Sequence, residues 1–373
     1  MKTKSSQTTA FDLQVMRKLI KLAATKKGIS SPNPLVAAAV TLDNTIIAKG
    51  VHDVAGTSHA EILALEKAGV LAKGATLYVT LEPCTHHGKT PPCVNAIIAA
   101  GIKKVIYAMD DPNPLVKNNP ARKILEGHNI EVISGLLEQE AKILNEVFIK
   151  NQTQKKPFVT LKVAETLDGK IALPDGRSKY ITSAKSLKLV HKLRAENDAI
   201  LIGINTVLVD DPSLDIRFGI KPKKKSRYVV VLDSQLRTPL TSKFFQKNQQ
   251  VIIVTSEKNK DSKKYASLKE KAIGFITMPE EGNLDLTQIV TTLYRDFGIT
   301  SILIEGGKKV FTDAVTKGVV DKAYFFIAPK LILGEDSISA FGGKSVANLE
   351  EAILLKKTKV KYLNPDILIT GYF

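Results

Sequence analysis

A chain of 373 residues, 44% of them hydrophobic, has the material for two domains with separate cores, and its two cysteines exclude a disulfide framework. No apolar run is long enough to span a bilayer, and the polar, basic stretch Met1–Gln7 is not followed by the apolar core of a signal peptide, which argues for the cytoplasm and reduced thiols. The formal charge is +17, yet residues 1–150 carry 18 Lys+Arg against 13 Asp+Glu and the remainder 36 against 24, Trp is absent, and Arg is not interleaved with aromatics; the excess reads as a Lys-rich background that attracts phosphorylated small molecules rather than nucleic acid.

Phe11 to Lys27 carries Leu13, Met16, Leu19, Ile20 and Ala23 at helical spacing and predicts a helix. Val36–Val40 and Thr45–Ala48 read as the strands of a hairpin turned at Asp43-Asn44. His59 opens a helix through Ala68, with Ser58 as its N-cap. Thr76–Thr80 is a strand, Cys93 begins a helix through Ala100 that Gly101 ends, and Lys104–Met109 is a further strand. This alternation predicts an α/β sheet. The polar stretch Asn151–Pro157 reads as a linker, so a first domain is expected over 1–150, a linker over 151–156 and a second domain over 157–373. Beyond it, Pro157–Ala164, Ala199–Ile204, Tyr228–Asp233, Val251–Thr255 and Ser301–Glu305 read as strands of a second α/β domain. Lys221-Pro222-Lys223-Lys224-Lys225 reads as a solvated loop between strands.

The chemistry concentrates in the first half. His59 and the only two cysteines, Cys84 and Cys93, form the ligand set of a catalytic zinc, which takes three protein ligands and leaves a fourth position for water. Zinc lowers the pKa of that water from about 15.7 toward 7. Glu61, two residues beyond His59, is not needed as a ligand and is placed to carry the proton, the arrangement of zinc deaminases. Both metal segments fall at predicted helix N-termini, where free N–H groups and the helix dipole favour thiolate.

In these residues the chain resembles the bifunctional riboflavin-biosynthesis deaminase/reductase family along essentially its whole length. The first-half carriers are Pro32-Asn33-Pro34, His59-Ala60-Glu61, Tyr78-Val79-Thr80-Leu81-Glu82-Pro83-Cys84, His87 through Cys93, and Asp111-Pro112-Asn113-Pro114. The second-half carriers are Leu167-Asp168-Gly169-Lys170, Thr206 through Leu214, Glu305-Gly306-Gly307 and Ala328-Pro329-Lys330. The resemblance implies a cytidine-deaminase-like αβα domain followed by a dihydrofolate-reductase-like α/β domain. It implies Zn2+ and NADPH as cofactors and a homo-oligomer. The reaction pair it implies is hydrolysis of the 2-amino group of a diamino-phosphoribosylamino-pyrimidinone, then reduction of the ribosyl group to ribityl.

By the same resemblance Asn33, His52, His86, Lys89, Asp111 and Asn113 line the deaminase substrate site. In the second half there is no Gly-x-Gly-x-x-Gly, and Glu305-Gly306-Gly307, after a strand Ser301–Ile304, takes the phosphate-loop position. Ala164, Tyr180, Thr206, Asp210 and Gly307 are the implied NADPH contacts. Lys162, Ser178, Arg194, Leu214, Arg217 and Glu305 are the implied contacts of the sugar phosphate. Ala38 and Ala164 stand where the family often has Gly, and Tyr180 where some members have Trp. The competing expectation is a zinc deaminase of tRNA or another nucleobase substrate with a non-catalytic C-terminal domain. It requires a basic, aromatic surface around the metal, and the second-half motifs stand against it.

Overall fold

The computed structural model describes residues 8–87, 91–220, 227–247, 249–279 and 284–373. Lys89 and the Lys221–Lys225 segment lie outside the described residues. The chain divides into two compact units, Met1–Lys155 and Lys156–Phe373. No described helix is long and apolar enough to cross a membrane.

The first unit runs α1 (Ala10–Ala24), β1 (Ala37–Leu42), β2 (Thr45–Val51), α2 (Ala60–Ala68), β3 (Thr76–Val79), α3 (Cys93–Ala99), β4 (Lys104–Tyr107), α4 (Pro114–Lys117), α5 (Ala121–Gly127), β5 (Glu131–Ser134), α6 (Glu138–Leu144) and α7 (Glu146–Gln154). Helix α1 begins in a capping box, Thr9 and Asp12 each accepting from the other's backbone N–H. The Tyr78 hydroxyl of β3 also donates to Asp12, which ties the helix start to the sheet. Asp43 and Asn44 turn the β1–β2 hairpin at φ 46° and 57°, the left-handed geometry that two-residue hairpin loops need. The sheet order is β2-β1-β3-β4-β5, with β1 antiparallel to both neighbours and β3, β4 and β5 parallel. Helices α2, α3 and α5 pack in succession on one side, and α1 packs with α6 and the sheet. Residues 37–41 of β1 are buried without alternation, as expected of a strand covered on both faces.

Helix α2 meets β2 at Gly50. A Cβ there would lie 2.1 Å from the Ala60 carbonyl oxygen and 2.8 Å from the Ala64 nitrogen, so only glycine allows the approach. Two expectations are corrected in this unit. His59 is itself the N-cap and the helix begins at Ala60, because the Ser58 carbonyl is turned toward the His52 ring. The predicted linker is partly helical: Asn151–Gln154 complete α7, since Phe148 and Asn151 are buried in the first unit and hold the helix there.

The second unit runs β6 (Phe158–Thr166), β7 (Lys170–Ala172), α8 (Ala184–Glu196), β8 (Ala199–Gly203), α9 (Ile204–Asp210), β9 (Tyr228–Leu232), β10 (Gln250–Ser256), α10 (Lys263–Lys269), β11 (Gly274–Met278), α11 (Leu286–Phe297), β12 (Ser301–Gly306), α12 (Lys308–Thr316), β13 (Lys322–Ala328), β14 (Ile338–Ser339), β15 (Lys356–Tyr362) and β16 (Ile367–Tyr372). The main sheet is ordered β11-β10-β9-β8-β12-β6-β13-β16-β15. It is parallel from β11 to β13, and β16 and β15 add antiparallel. β8, Ala-Ile-Leu-Ile-Gly, is buried throughout, which matches its central place between β9 and β12. In a parallel sheet the carboxyl ends of the strands face the ligand crevice. Here those ends carry Ala164–Thr166, Gly203 and Glu305–Gly306. The strand β12 extends to Gly306, one residue beyond the expected strand Ser301–Glu305, because Gly306 still pairs with Ile202 of β8.

Replacement of Gly50 by Ala is expected to push α2 off β2 at a cost of about 1–3 kcal/mol. Thermal unfolding and zinc content of Gly50→Ala check this: a lower Tm with substoichiometric zinc is expected, and wild-type values for both would show the approach to be looser than described.

Candidate active sites

Three separate elements deliver the first site. His59 caps α2, Cys93 is the first residue of α3, and Cys84 lies in the loop after β3. Their donor atoms all lie within 4.8 Å of one another. His59 Nδ1 is 3.1 Å from Cys93 Sγ and 3.5 Å from Cys84 Sγ. Tetrahedral zinc, with Zn–S near 2.3 Å and Zn–N near 2.0–2.1 Å, separates N and S donors by roughly 3.6 Å. The set therefore fits zinc in chemistry and in spacing. The Cys93 N–H, free at the start of α3, points at Cys84 Sγ at 3.2 Å. The Cys93 thiol hydrogen bond holds the Cys84 thiol below the usual range, and the same pairing, with burial, pushes Cys93 up. Glu61 is the second residue of α2, 4% exposed, and burial pushes its carboxyl up to about 7. An acid poised near neutrality can both take and return a proton.

A cavity of about 420 Å³ opens over these groups. Asn33, His52 and His86 line it with Glu61, and so do Asp111 and Asn113. Every predicted deaminase substrate contact among the described residues is thus at one cavity. Asn33 Nδ2 donates to His52 Nε2 at 3.0 Å, and His52 Nδ1 donates to the Ser58 carbonyl at 3.2 Å. That network assigns the tautomer and leaves His52 neutral, with burial holding it below the usual histidine range. Asp111 accepts the Asn113 N–H at 2.9 Å, and Asn113 caps α4 through the Leu115 N–H at 3.1 Å. Burial pushes Asp111 up to about 7.

Residues without an expected role build this cavity too. Glu82 is 4% exposed and accepts the Asp111 N–H at 3.1 Å and the Ala121 N–H at 2.8 Å, which fixes the Asp111 loop to the Cys84 segment. Asn145 takes the Leu35 N–H at 2.8 Å and donates to the Leu35 carbonyl at 3.2 Å, so the Asn33 loop is clamped to the start of α7. Phe148 and Gln152 of α7 complete the wall. Glu82 belongs to the Tyr78–Cys84 motif, whereas Asn145, Phe148 and Gln152 carry no sequence signal.

The second site lies at the carboxyl edge of the parallel sheet. Arg194 of α8 grips Glu305 at the end of β12 through Nε and Nη2, at 2.6 and 2.8 Å, and its Nη1 donates to the Asp215 carbonyl at 3.3 Å. Both side chains are buried, at 12% and 4% exposure. The guanidinium is therefore committed to Glu305, and Arg194 lies in the interior rather than on an exposed helix face. Lys162 of β6 is recessed beside this pair, and burial holds its amine below the usual lysine range. Ser178 Oγ donates to both Asp210 carboxylate oxygens at 3.2 and 3.3 Å, which joins an expected substrate contact to an expected cofactor contact.

Gly307 caps α12 at φ 98°, where a side chain would be strained, and a Cβ on Gly306 would lie 2.8 Å from Thr206 Oγ1. This is a narrow cradle of backbone and hydroxyl, which fits a phosphate of a dinucleotide. Ala164 packs with the buried cluster around Phe326. Leu214 is 3% exposed and its side chain belongs to the core around Val207 and Phe244, so only its backbone is free to meet a ligand. Arg217 is exposed and pairs with Asp215 at 3.1 Å. Tyr180 is exposed, and its carbonyl accepts from Lys330 Nζ at 3.3 Å. His191, which no sequence pattern marked, is 3% exposed and accepts the Arg217 N–H on Nδ1 at 2.9 Å. Burial, aided by Arg194 and Arg217, pushes it down to about 4.

The two halves define a class: a zinc-binding deaminase domain followed by a reductase domain. Comparison with known proteins bears this out. Residues 9–109 match the cytidine and deoxycytidylate deaminase zinc-binding region, and residues 157–369 match the RibD C-terminal domain. The chain is 42% identical over 358 residues to the riboflavin biosynthesis protein RibD of Aquifex aeolicus, covering 96% of this chain and 97% of that one. A diaminohydroxyphosphoribosylaminopyrimidine deaminase/5-amino-6-(5-phosphoribosylamino)uracil reductase from Thermotoga maritima superposes with TM-score 0.85 at 35% identity, covering 97% and 98% of the two chains. Acinetobacter baumannii RibD superposes with TM-score 0.84 at 33% identity and the same coverage. The chain belongs to the RibD family of bifunctional deaminase–reductases of riboflavin biosynthesis. The polymer-deaminase expectation is not favoured, because the reductase match spans the half it required to be non-catalytic.

Cys84→Ser is expected to lose most of its zinc by metal analysis while keeping a reductase unit that unfolds as in the wild type; full zinc content would overturn the ligand set. His191 titrates near 4 folded against about 6.5 unfolded, so the unfolded chain binds more protons between those values. Its stability contribution is complete above pH about 6.5 and is lost as pH falls toward 4. Tm measured from pH 8 to 4.5 should fall more steeply for the wild type than for His191→Gln, which keeps an acceptor but does not titrate; parallel curves would exclude His191 as the source.

Proposed function

We propose that the chain deaminates 2,5-diamino-6-(5-phosphoribosylamino)pyrimidin-4-one and then reduces the ribosyl group of the product to ribityl with NADPH. The observation that carries the first step is Glu61, buried at the floor of a cavity beside a His59, Cys84 and Cys93 donor set. Zinc, held by His59, Cys84 and Cys93, would supply Lewis acidity and lower the pKa of water toward about 7. Glu61 moves the water proton to the ring nitrogen and then to the departing amine. Asn33, neutral His52, Asp111 and Asn113 orient the ring by hydrogen bonds, with His86 toward the rest of the substrate; Lys89 is a further substrate contact by family resemblance alone. The buried His86 Nδ1 has no partner among the described residues, which supports a ligand contact there.

NADPH, when bound, supplies the hydride of the second step. Gly307, Thr206, Asp210, Ala164 and Tyr180 would hold it. Lys162, Ser178, Arg217 and the Leu214 backbone receive the sugar phosphate, and Arg194 acts by holding Glu305 in place. The first unit carries the deaminase and the second the reductase. A pair of reduced cysteine ligands fits a cytoplasmic enzyme. Exposed Leu354, Val360 and Tyr362 on and beside the edge strand β15 support a homo-oligomer, and the absence of Arg–aromatic interleaving supports a small-molecule rather than nucleic-acid partner.

The test is mass analysis of products with and without NADPH. Exchange of one amine for a carbonyl is expected without NADPH, and addition of two hydrogens only with it. Glu61→Gln should keep its zinc, lose deamination by about 10²–10⁴-fold and still reduce a supplied deaminated intermediate. A wild-type enzyme that neither deaminates nor reduces would refute the substrate assignment.

A further inference from the structure

We infer that Gln152 is a specificity-determining residue of the deaminase, contacting the hydroxyls of the phosphoribosyl tail at the rim of the cavity. This rests on the substrate proposed above.

The matched zinc-binding region ends at residue 109, yet the cavity is closed by residues beyond it, Phe148 and Gln152 of α7 among them. The two are four residues apart and so lie on one face of the helix. Phe148 is 8% exposed and anchors that face in the core of the unit. Gln152, one turn further, is only half-buried and makes no side-chain hydrogen bond among the described residues while lining the cavity. An amide in that position offers one acceptor and two donors to whatever occupies the space.

The depth of the cavity orders what it can hold. The reacting ring carbon must sit at the metal end, where Glu61 and His52 are 4% and 3% exposed. The part of the substrate that projects from the ring toward a half-exposed residue is the phosphoribosylamino tail. A neutral amide is matched to sugar hydroxyls, whereas a phosphate dianion is matched to a cation. The Asn145 clamp on Leu35 fixes the start of α7 to the loop that carries Asn33, so ring contact and tail contact are held in one register.

Deaminase kinetics of Gln152→Ala and Gln152→Glu test this on two compounds: the full substrate, and its aglycone with a plain amino group in place of the phosphoribosylamino group. Loss of one neutral hydrogen bond corresponds to roughly a tenfold effect. KM for the full substrate should rise about tenfold in Gln152→Ala at nearly unchanged kcat, and further in Gln152→Glu, whose carboxylate repels the phosphate. Kinetics on the aglycone should match the wild type, as should reduction of the deaminated intermediate. An unchanged KM for the full substrate, or equal loss on both compounds, overturns the assignment. A wild type that deaminates neither compound instead refutes the proposed substrate, so the two failures are distinguishable.

Discussion

The first unit depends on the contact between α2 and β2 at Gly50. The helix backbone lies so close to the strand that no side chain can intervene. That approach sets the height of His59 and Glu61 above the sheet. The Cys84 loop is set through β3, and α3 through its packing on α2. Three donors from three elements meet within 4.8 Å only if each element keeps its own distance from the sheet. A rigid frame suits catalysis, because a ligand set must be held before the ion arrives and a proton carrier must be held beside it.

Burial then assigns chemistry to groups of similar type. Glu61, Glu82 and Asp111 are three buried carboxyls within one short region, all raised by desolvation. Glu82 has backbone donors at both oxygens and is used for structure. Glu61 faces the cavity and lies against the Cys93 thiol, placed for proton transfer. Asp111 faces the same cavity, its backbone N–H donating to Glu82 and its carboxyl accepting the Asn113 N–H of its own turn. In the second unit the same logic separates two arginines: Arg194 is spent on Glu305, while Arg217 stays at the surface, its backbone fixed by His191. A buried, bidentate pair costs several kcal/mol to break by removing one partner, so Arg194 is suited to holding geometry rather than to meeting a transient ligand.

The readability of the chain varied with the range of the interaction involved. The Asp43-Asn44 hairpin, the Thr76–Val79 strand and the α3 start at Cys93 followed from neighbouring residues alone. The linker expectation failed at Asn151–Gln154 because a polar sequence gives no hint that Phe148 and Asn151 are buried against the rest of the unit. Ser58 looked like a helix cap, but its carbonyl is engaged by His52 and the cap passes to His59. The family pattern names Leu214 as a substrate contact but does not say which part of it; its side chain fills the core, which leaves the backbone for that role. Each departure arises where a partner distant in sequence outweighs local preference.

The amino-acid sequence by itself determined the chemical inventory: one His, two Cys and one Glu at deaminase spacing, and a second α/β half with a Glu-Gly-Gly turn in place of a dinucleotide fingerprint. Those are properties of residue type and near-neighbour spacing, which the sequence states directly. Only the tertiary structure decided which carboxyl is free, which arginine is committed, that His191 is buried and neutral, and that α7 closes the deaminase cavity. Burial and partner choice depend on how elements far apart in the chain pack together, and that packing decides the cost of every charge and every unmet hydrogen bond.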